Sequence, residues 1–232
     1  MLKHLPNAMT CGNLLCGCLG IVQVYAGNLP LAAGLIFAAA LLDFGDGFVA
    51  RLVNAQSAIG KELDSLADCV TFGVLPAFII FSLLGAFAEG AGTLSLRGDY
   101  LPYIAFSLAV FSALRLAKFN VDTRQSDSFI GVPTPANALA VAAFPLMIAY
   151  GQPGADLVQQ PWFLVGYSLV MSYLLVAELP LMAFKFKTFA WADNQIKYIF
   201  LVLSALLLLF LQFAGLPLII LLYILFSLIF KK

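Results

Sequence analysis

Residues 43–68 read DFGDGFVARLVNAQSAIGKELDSLAD, a stretch flanked by apolar sequence, and it contains four aspartates: Asp43, Asp46, Asp64 and Asp68. The first two are three residues apart and the last two are four apart, so each pair lies on one face of a helix. A short turn between two such helices would bring the four carboxylates together. Because carboxylates at close range repel one another in apolar surroundings, the pattern predicts bound cations. Oxygen ligands without His or Cys favour Mg²⁺ or Mn²⁺ over Zn²⁺.

The composition indicates an integral membrane protein. Of the 232 residues, 62% are hydrophobic and only 10% are charged, which is far from the balance of a soluble domain. The formal net charge is zero, so no nucleic-acid partner is expected. The cysteines form no CxxC pair, and we expect them to pack between helices rather than to bind metal or form disulfides. They are Cys11, Cys16, Cys18 and Cys69.

Eight apolar runs have lengths suited to membrane-spanning helices, and they predict an all-α, polytopic helix bundle. The runs lie near residues 10–27, 30–53, 62–88, 101–120, 133–151, 161–186, 196–213 and 216–230. The first is expected to be a retained helix, because no small-residue cleavage site follows a short apolar run. The connection at 89–100 is predicted to be an external turn, and 120–132 to be the longest polar cytoplasmic loop.

The basic residues predict the orientation of this bundle. Eight spans place both termini on one side, and if that side is the cytoplasm, eleven of the twelve basic residues lie there, with Arg97 opposite. This distribution follows the positive-inside rule. The eleven are Lys3, Arg51, Lys61, Arg115, Lys118, Arg124, Lys185, Lys187, Lys197, Lys231 and Lys232. The same arrangement predicts that the aspartates lie in a polar pocket that opens to the cytosol and is reachable from the lipid.

The aspartate stretch resembles a known signature. It matches the pattern D-x2-D-G-x2-A-R-x8-G-x3-D-x3-D of the CDP-alcohol phosphatidyltransferases at every specified position. The resemblance implies an enzyme of the cytoplasmic (inner) membrane that transfers a phosphatidyl group from a CDP-linked lipid to an alcohol and releases CMP. It also implies a homodimer. The expected domain is a six-helix core over residues 1–190, with two additional helices over 191–232.

The resemblance also implies roles for the acidic residues. The positions that match the family's metal ligands are Asp43, Asp46, Asp64 and Asp68. Two divalent cations there would clamp the attacking and leaving oxygens. Asp68 additionally matches the general base for the acceptor hydroxyl.

The residues expected to bind CDP-diacylglycerol are Gly47, Ala50, Arg51, Gly60, Thr10 and Asn13. The small residues would let the nucleotide come close, and Arg51 could bind a phosphate oxygen or serve only as a membrane-surface anchor. Residues 6–13 resemble the P-N-x2-T-x2-N pattern of the same family and place Thr10 and Asn13 on one helical face. Those two could contact the cytidine or the aspartate hairpin, or could cap and pack the first helix.

Three further stretches resemble the serine-specific members of the family: 64–77, 115–120 and 129–136, with Lys118 where those members have Arg. The resemblance implies L-serine as the acceptor and phosphatidylserine as the product. Because serine is a zwitterion, its carboxylate needs a cation. Arg115 and Lys118, three residues apart at the inner end of the fourth helix, could supply it, or could anchor that helix at the membrane surface.

Two alternatives remain open from the sequence. The same chemistry could serve glycerol 3-phosphate, inositol or inositol phosphate, although a phosphorylated acceptor would need additional basic residues near the third and fourth helices. A cation transporter could use the acidic cluster, but transporters usually contain symmetry-related broken helices, and the sequence has no second copy of the acidic hairpin. Glu178 is a membrane acid for which the sequence identifies no partner.

Overall fold

The computed structural model describes residues 4–55, 57–90, 100–122, 129–182 and 191–230, and most of them are helical. The α-helices are α1 (Leu5–Tyr25), α2 (Leu29–Leu52), α3 (Ala58–Asp68), α4 (Leu75–Gly90), α5 (Phe106–Val121), α6 (Thr134–Ala149), α7 (Ala155–Val158), α8 (Pro161–Val176), α9 (Trp191–Leu211) and α10 (Gly215–Ile229). A π-helical segment, Cys69–Val74, joins α3 to α4 without a break. Short 3₁₀ turns, Leu101–Ala105 and Gln212–Ala214, precede α5 and α10.

The predicted all-α, polytopic membrane architecture is confirmed. In the described part of the chain, five helical stretches are long and apolar enough to cross a membrane, and α6 and α8 are shorter apolar helices. The last of the five, Asn194–Ile229, contains α9 and α10. Within this stretch α10 folds back against α9, as the contacts of the Phe200 ring on α9 with the rings of Tyr223 and Phe226 on α10 show. The eight predicted runs thus correspond to eight apolar helices.

The predicted sixth run, 161–186, is longer than the helix that forms. The helix α8 ends at Val176, and Ala177 is extended with ψ of 140°. Pro180 accounts for the end at Val176, since it has no N–H to bond the Val176 oxygen four residues earlier and its ring would clash with that carbonyl in a continued helix. Strand β2 (Pro180–Leu181) instead pairs antiparallel with β1 (Phe129–Ile130).

Parts of the predicted loops and of the basic-residue pattern lie outside the described residues. These parts are 91–99 of the external turn and 123–128 of the polar cytoplasmic loop. Lys3, Arg97, Arg124, Lys185, Lys187, Lys231 and Lys232 also lie outside them. The orientation of the bundle therefore stays a prediction.

Helix α6 lies at the centre of the bundle, and other helices, such as α9 and α10, form its outer surface. Most of its side chains are fully or nearly fully buried, including Ala138, Ala142 and Phe144. The alanines let neighbouring helices approach closely, as small residues do in membrane helix packing. By contrast, α9 and α10 expose large apolar side chains, such as Leu209 with 72% of its surface exposed. Helices that are apolar on all sides are typical of a bundle surrounded by lipid.

The helix α1 crosses the π-helical segment at Gly17. A Cβ atom at Gly17 would lie 2.4 Å from Thr71 Oγ1 and 3.0 Å from Thr71 Cα. The Thr71 hydroxyl donates a hydrogen bond of 3.1 Å to the backbone oxygen of Asn13, one turn earlier on α1. Glycine thus permits a close helix crossing immediately beside the last aspartate of the signature.

Gly17→Ala is expected to lower the thermal stability of the detergent-solubilised protein. Overpacking at a tight contact costs about 1–3 kcal/mol. Gly34→Ala on α2 is the matched control, because a Cβ atom there meets no atom within 4 Å and alanine has the higher helix propensity. The measurement is the melting temperature of both variants. Equal melting temperatures would show that the crossing accommodates a methyl group.

Candidate active site

The turn between α2 and α3 places the two aspartate pairs face to face. Helix α2 ends at Leu52, and the chain reverses through Asn54, which has a positive φ of 50°. Ser57 then begins α3 as its N-cap, and its hydroxyl oxygen accepts a 3.0 Å hydrogen bond from the Gly60 N–H. Serine is a preferred N-cap because it satisfies one of the free N–H groups of the first turn.

Three of the four predicted aspartates converge. Asp43, Asp64 and Asp68 each offer a carboxylate oxygen, and these oxygens all lie within 4.8 Å of one another. Asp46 lies beside them, close enough for electrostatic interaction with each of the three. The pairing of aspartates predicted from their spacing is therefore present in the fold.

The chemistry of these oxygens fits a hard divalent cation. Asp64 Oδ1 is buried and, among the residues described, has no hydrogen-bond partner. A buried carboxylate oxygen without a donor is costly, and several carboxylates at this range repel one another. A divalent cation removes both costs, and oxygen-only ligands are the set that Mg²⁺ and Mn²⁺ prefer.

Helix α1 orients two of the aspartates. The Thr10 hydroxyl lies 2.6 Å from Asp46 Oδ2, to which it donates, and Asn13 Nδ2 donates a 3.1 Å hydrogen bond to Asp68 Oδ1. Both side chains are buried, and both residues lie within α1, whose N-cap is His4. Thr10 and Asn13 therefore contact the aspartate hairpin, which is one of the roles considered from the sequence. Neither residue caps α1.

A cavity of about 530 Å³, here the first cavity, adjoins the aspartates. It is lined by Pro6, Asn7, Thr10, Asp46, Gly47, Ala50, Arg51, Ala55, Ser57, Ala58, Gly60, Lys61 and Asp64. Five of the six residues predicted to bind the donor are in this lining. The sixth, Asn13, is not, because it faces Asp68 instead.

Two features of the first cavity were not predicted from the sequence. Lys61 adds a second basic side chain to the lining, beside Arg51. The backbone at Gly60 is closely packed against two polar side chains. A Cβ atom there would lie 3.0 Å from Ser57 Oγ and 3.1 Å from Asn7 Oδ1. Packing of the α3 N-terminus against α1 is therefore a reason for glycine at this position, in addition to the predicted approach of a nucleotide.

A second cavity, of about 310 Å³, contains the two cations that were predicted to bind serine. Its lining consists of Arg115, Lys118, Val121, Asp122, Ile130, Leu175, Val176 and Glu178. Glu178 received no role in the sequence analysis. The only sequence signal for it was an acidic side chain at the end of a membrane helix, which is a functional-site indication by default.

Arg115 connects the second cavity to the aspartate cluster. Its side chain is only 7% exposed, so it faces the protein interior rather than lipid or solvent. One guanidinium nitrogen donates a 3.3 Å hydrogen bond to Thr134 Oγ1, and the group interacts electrostatically with Asp68. Its Nε is buried and has no partner among the described residues. Lys118, in contrast, is exposed.

A polar bridge joins α5 to α3 between the two cavities. Asn120 Nδ2 donates a 2.9 Å hydrogen bond to Ser65 Oγ, and Lys61 Nζ donates one of 3.2 Å to the Asn120 backbone oxygen. Lys61 is also part of the first cavity. Asn120 and Ser65 belong to the quoted serine-specific stretches but had no predicted role. Their contact fixes the relative position of the helices that carry Asp64 and Arg115.

Comparisons with known proteins agree with this geometry. The family model described as CDP-alcohol phosphatidyltransferase matches residues 3–184. The CDP-diacylglycerol–serine O-phosphatidyltransferase of Bacillus subtilis is 33% identical over 189 residues, which cover 79% of this chain and 93% of that protein. A protein of the same name from Helicobacter pylori is 38% identical over 138 residues, 59% of this chain and 54% of the relative.

An archaeal protein is also similar. The archaetidylserine synthase of Methanothermobacter thermautotrophicus is 33% identical over 154 residues, which cover 65% of this chain and 61% of the relative. The chain thus spans nearly all of the Bacillus protein and between half and two thirds of the other two.

Proposed function

The chain belongs to the CDP-alcohol phosphatidyltransferase family, and we propose that it transfers the phosphatidyl group of CDP-diacylglycerol to the hydroxyl of L-serine, giving phosphatidylserine and CMP. The names of the similar proteins support serine as the acceptor. The observation that carries the proposal is the convergence of Asp43, Asp64 and Asp68 beside a cavity lined by the small residues of the same signature.

The four aspartates are the proposed ligands of two divalent ions, Mg²⁺ or Mn²⁺. Members of the family generally use a divalent metal. When bound, such ions neutralise the diphosphate of the donor and stabilise charge on the attacking and leaving oxygens. The chain's own contribution is to fix the carboxylates: Thr10 holds Asp46 and Asn13 holds Asp68.

The first cavity is the proposed site of the CDP group. Gly47 and Ala50 lie along its wall without bulky side chains, and a Cβ atom at Gly47 would meet no atom within 4 Å. That open space accommodates a nucleotide. Arg51 and Lys61 supply positive charge for the phosphate oxygens.

The transfer step forms one bond and breaks one. The serine hydroxyl oxygen bonds to the phosphorus of the phosphatidyl group, and the bond from that phosphorus to the oxygen bridging to CMP breaks, with the electron pair leaving on CMP. Asp68 is the proposed acceptor of the hydroxyl proton, and its hydrogen bond from Asn13 fixes its orientation. Arg115, which interacts electrostatically with Asp68, is the proposed partner of the serine carboxylate.

Arg115→Ala is expected to lower kcat/KM for serine roughly ten- to a hundredfold, because one charge-assisted carboxylate contact is worth about 1.5–3 kcal/mol. The KM for CDP-diacylglycerol should change little. Lys118→Ala should have a smaller effect, since this side chain is exposed and exposed charges contribute little. Steady-state kinetics with each substrate varied in turn is the measurement. Equal loss for both substrates, with poor yield of folded protein, would make Arg115 a structural residue.

A panel of alcohols tests the proposed acceptor. Purified protein is given CDP-diacylglycerol, a divalent cation and either L-serine, glycerol 3-phosphate, inositol or inositol phosphate, and the lipid product and CMP are quantified. We expect serine to be used with the highest kcat/KM. If another alcohol outcompetes serine, the acceptor assignment is wrong, although membership of the family stands.

We further propose that the site faces the cytosol from the cytoplasmic (inner) membrane and that the protein is a homodimer. The basic-residue pattern supports the orientation, and the family resemblance supports the dimer. The proposed division at residue 190 is supported by the family match, which ends at residue 184. The C-terminal hairpin nevertheless packs against the preceding domain, since the Tyr223 hydroxyl donates a 3.0 Å hydrogen bond to the Met182 backbone oxygen.

A further inference from the structure

We infer that Glu178 binds the ammonium group of the acceptor in the second cavity and thereby selects alcohols that carry both an ammonium and a carboxylate. The inference rests on the proposed function, because it concerns which alcohol the same active site takes. It assigns Glu178 as a specificity-determining residue that acts by direct contact with the acceptor.

The second cavity has charges of both signs on two separate elements. Its basic residues, Arg115 and Lys118, come from α5, whereas Glu178 comes from the segment that follows α8. A small zwitterion needs a cation for one end and an anion for the other. Phosphorylated alcohols carry only negative charge, so a carboxylate in the lining disfavours them, and neutral alcohols gain nothing from it.

The size and the rest of the lining suit a small polar acceptor. The cavity volume of about 310 Å³ lies at the lower end of the roughly 300–1,000 Å³ that ligand pockets span. Apart from the charged residues, the lining is apolar: Val121, Ile130, Leu175 and Val176. Few polar groups in an apolar wall fix the orientation of a ligand.

The backbone around Glu178 is held on both sides. The Gly131 N–H donates a 3.0 Å hydrogen bond to the Leu179 oxygen, and the Val132 N–H donates one of 3.0 Å to the Leu174 oxygen. Gly131 has a φ of 75°, and a Cβ atom there would lie 2.4 Å from the Leu175 oxygen. Close approach of these two segments therefore requires glycine, and it gives Glu178 a defined place at the cavity.

Helix α10 fixes the other end of this segment. The Met182 N–H donates a 3.1 Å hydrogen bond to Ser227 Oγ, and the Met182 oxygen accepts from the Tyr223 hydroxyl. Both backbone groups of Met182 are thus bound by one helix. Glu178 lies between this attachment and the end of α8, so its backbone is held on both sides, while its side chain is exposed.

The position of Arg115 orients the acceptor between the cavity and the reacting atoms. Arg115 lines the second cavity and also interacts with Asp68. A carboxylate bound to Arg115, with the ammonium on Glu178, leaves the third arm of serine, its hydroxymethyl group, free to reach Asp68. Asp122 is the other acidic residue of the cavity; it is the C-cap that directly follows α5, whereas Glu178 comes from a different element than the cations.

The test compares Glu178→Gln with Asp122→Asn on two acceptors: L-serine and 3-hydroxypropionate, which lacks the ammonium. Where turnover of 3-hydroxypropionate is slow, its affinity is measured as competitive inhibition of serine. We expect Glu178→Gln to lower kcat/KM for serine roughly tenfold, the lower end for a charge-assisted contact at an exposed carboxylate. The same variant should bind or use 3-hydroxypropionate at least as well as the wild type does, because this anion loses no contact and one repulsive charge is removed. The KM for CDP-diacylglycerol should be unchanged. Glu178→Asp, which keeps the charge, should retain part of the serine activity.

Several outcomes would overturn the inference. One is a serine kcat/KM within twofold of wild type in Glu178→Gln. Another is an equal loss with both acceptors, in this variant or in Glu178→Asp, which would indicate a structural role. A third is loss of serine preference in Asp122→Asn instead. Failure of the proposed function itself is seen separately, because the wild-type protein would then make no phosphatidylserine.

Discussion

Asp43→Asn, Asp46→Asn and Asp64→Asn are each expected to abolish measurable turnover while the protein still inserts into the membrane. Asparagine has nearly the same shape, so packing is preserved, but its neutral oxygen binds a divalent cation weakly and cannot neutralise it. The carboxylate oxygens of Asp43 and Asp64 lie within 4.8 Å of those of Asp68. Loss of one carboxylate charge from this compact set removes the electrostatic attraction that holds the cations, and with them the diphosphate.

Asp68→Asn should also stop turnover, with a different binding result. If its main role is to accept the hydroxyl proton, the other three aspartates remain to bind the donor, so equilibrium binding of CDP-diacylglycerol can survive. Asp156→Asn on α7 is the matched control, because this exposed residue lies outside both cavities. The measurements are kcat and donor binding for all five variants. A near-normal rate in any of the four cluster variants would refute the assignment of that residue.

Removal of divalent cations is the second change with a large expected effect. Excess chelator should abolish activity, and Mg²⁺ or Mn²⁺ should restore it, with Zn²⁺ less effective because the ligands are carboxylate oxygens alone. The metal should also raise the melting temperature of the wild-type protein, since a ligand that binds the folded state stabilises it. That stabilisation should be lost in Asp64→Asn. Full activity in excess chelator would remove the metal site from this account.

Much of the fold could be predicted because membrane helices are encoded locally. The apolar runs predicted eight helices, and the spacing of the aspartates predicted two acidic helix faces joined by a turn. The error at the end of the sixth run has a physical cause: Leu179, Leu181 and Met182 continue the apolar run, but Pro180 breaks the helix. The π-helical segment that begins directly after Asp68 was not predicted, since no residue pattern distinguishes it from an α-helix. Such segments occur frequently at functional sites.

The contacts that complete the site could not be predicted from the sequence. Asn13 and Asp68 are 55 residues apart in the chain, as are Asn120 and Ser65, and periodicity within one helix carries no information about such pairs. Periodicity likewise carries no information about Glu178, which lines the same cavity as Arg115 and Lys118 only because α8 packs against α5. The family resemblance predicted the aspartates and the two cations of the acceptor side, whereas Glu178 became a candidate only in the three-dimensional structure.

The most direct test of the central claim follows the phosphatidyl phosphorus. Purified protein receives CDP-diacylglycerol radiolabelled at that phosphorus, L-serine and Mg²⁺ or Mn²⁺, and both products are quantified over time. The account predicts that the label appears in phosphatidylserine, that unlabelled CMP forms in equal amount, and that neither forms without serine. Label that accumulates in CMP or in phosphatidic acid, or CMP release that does not depend on serine, would contradict transfer to the serine hydroxyl.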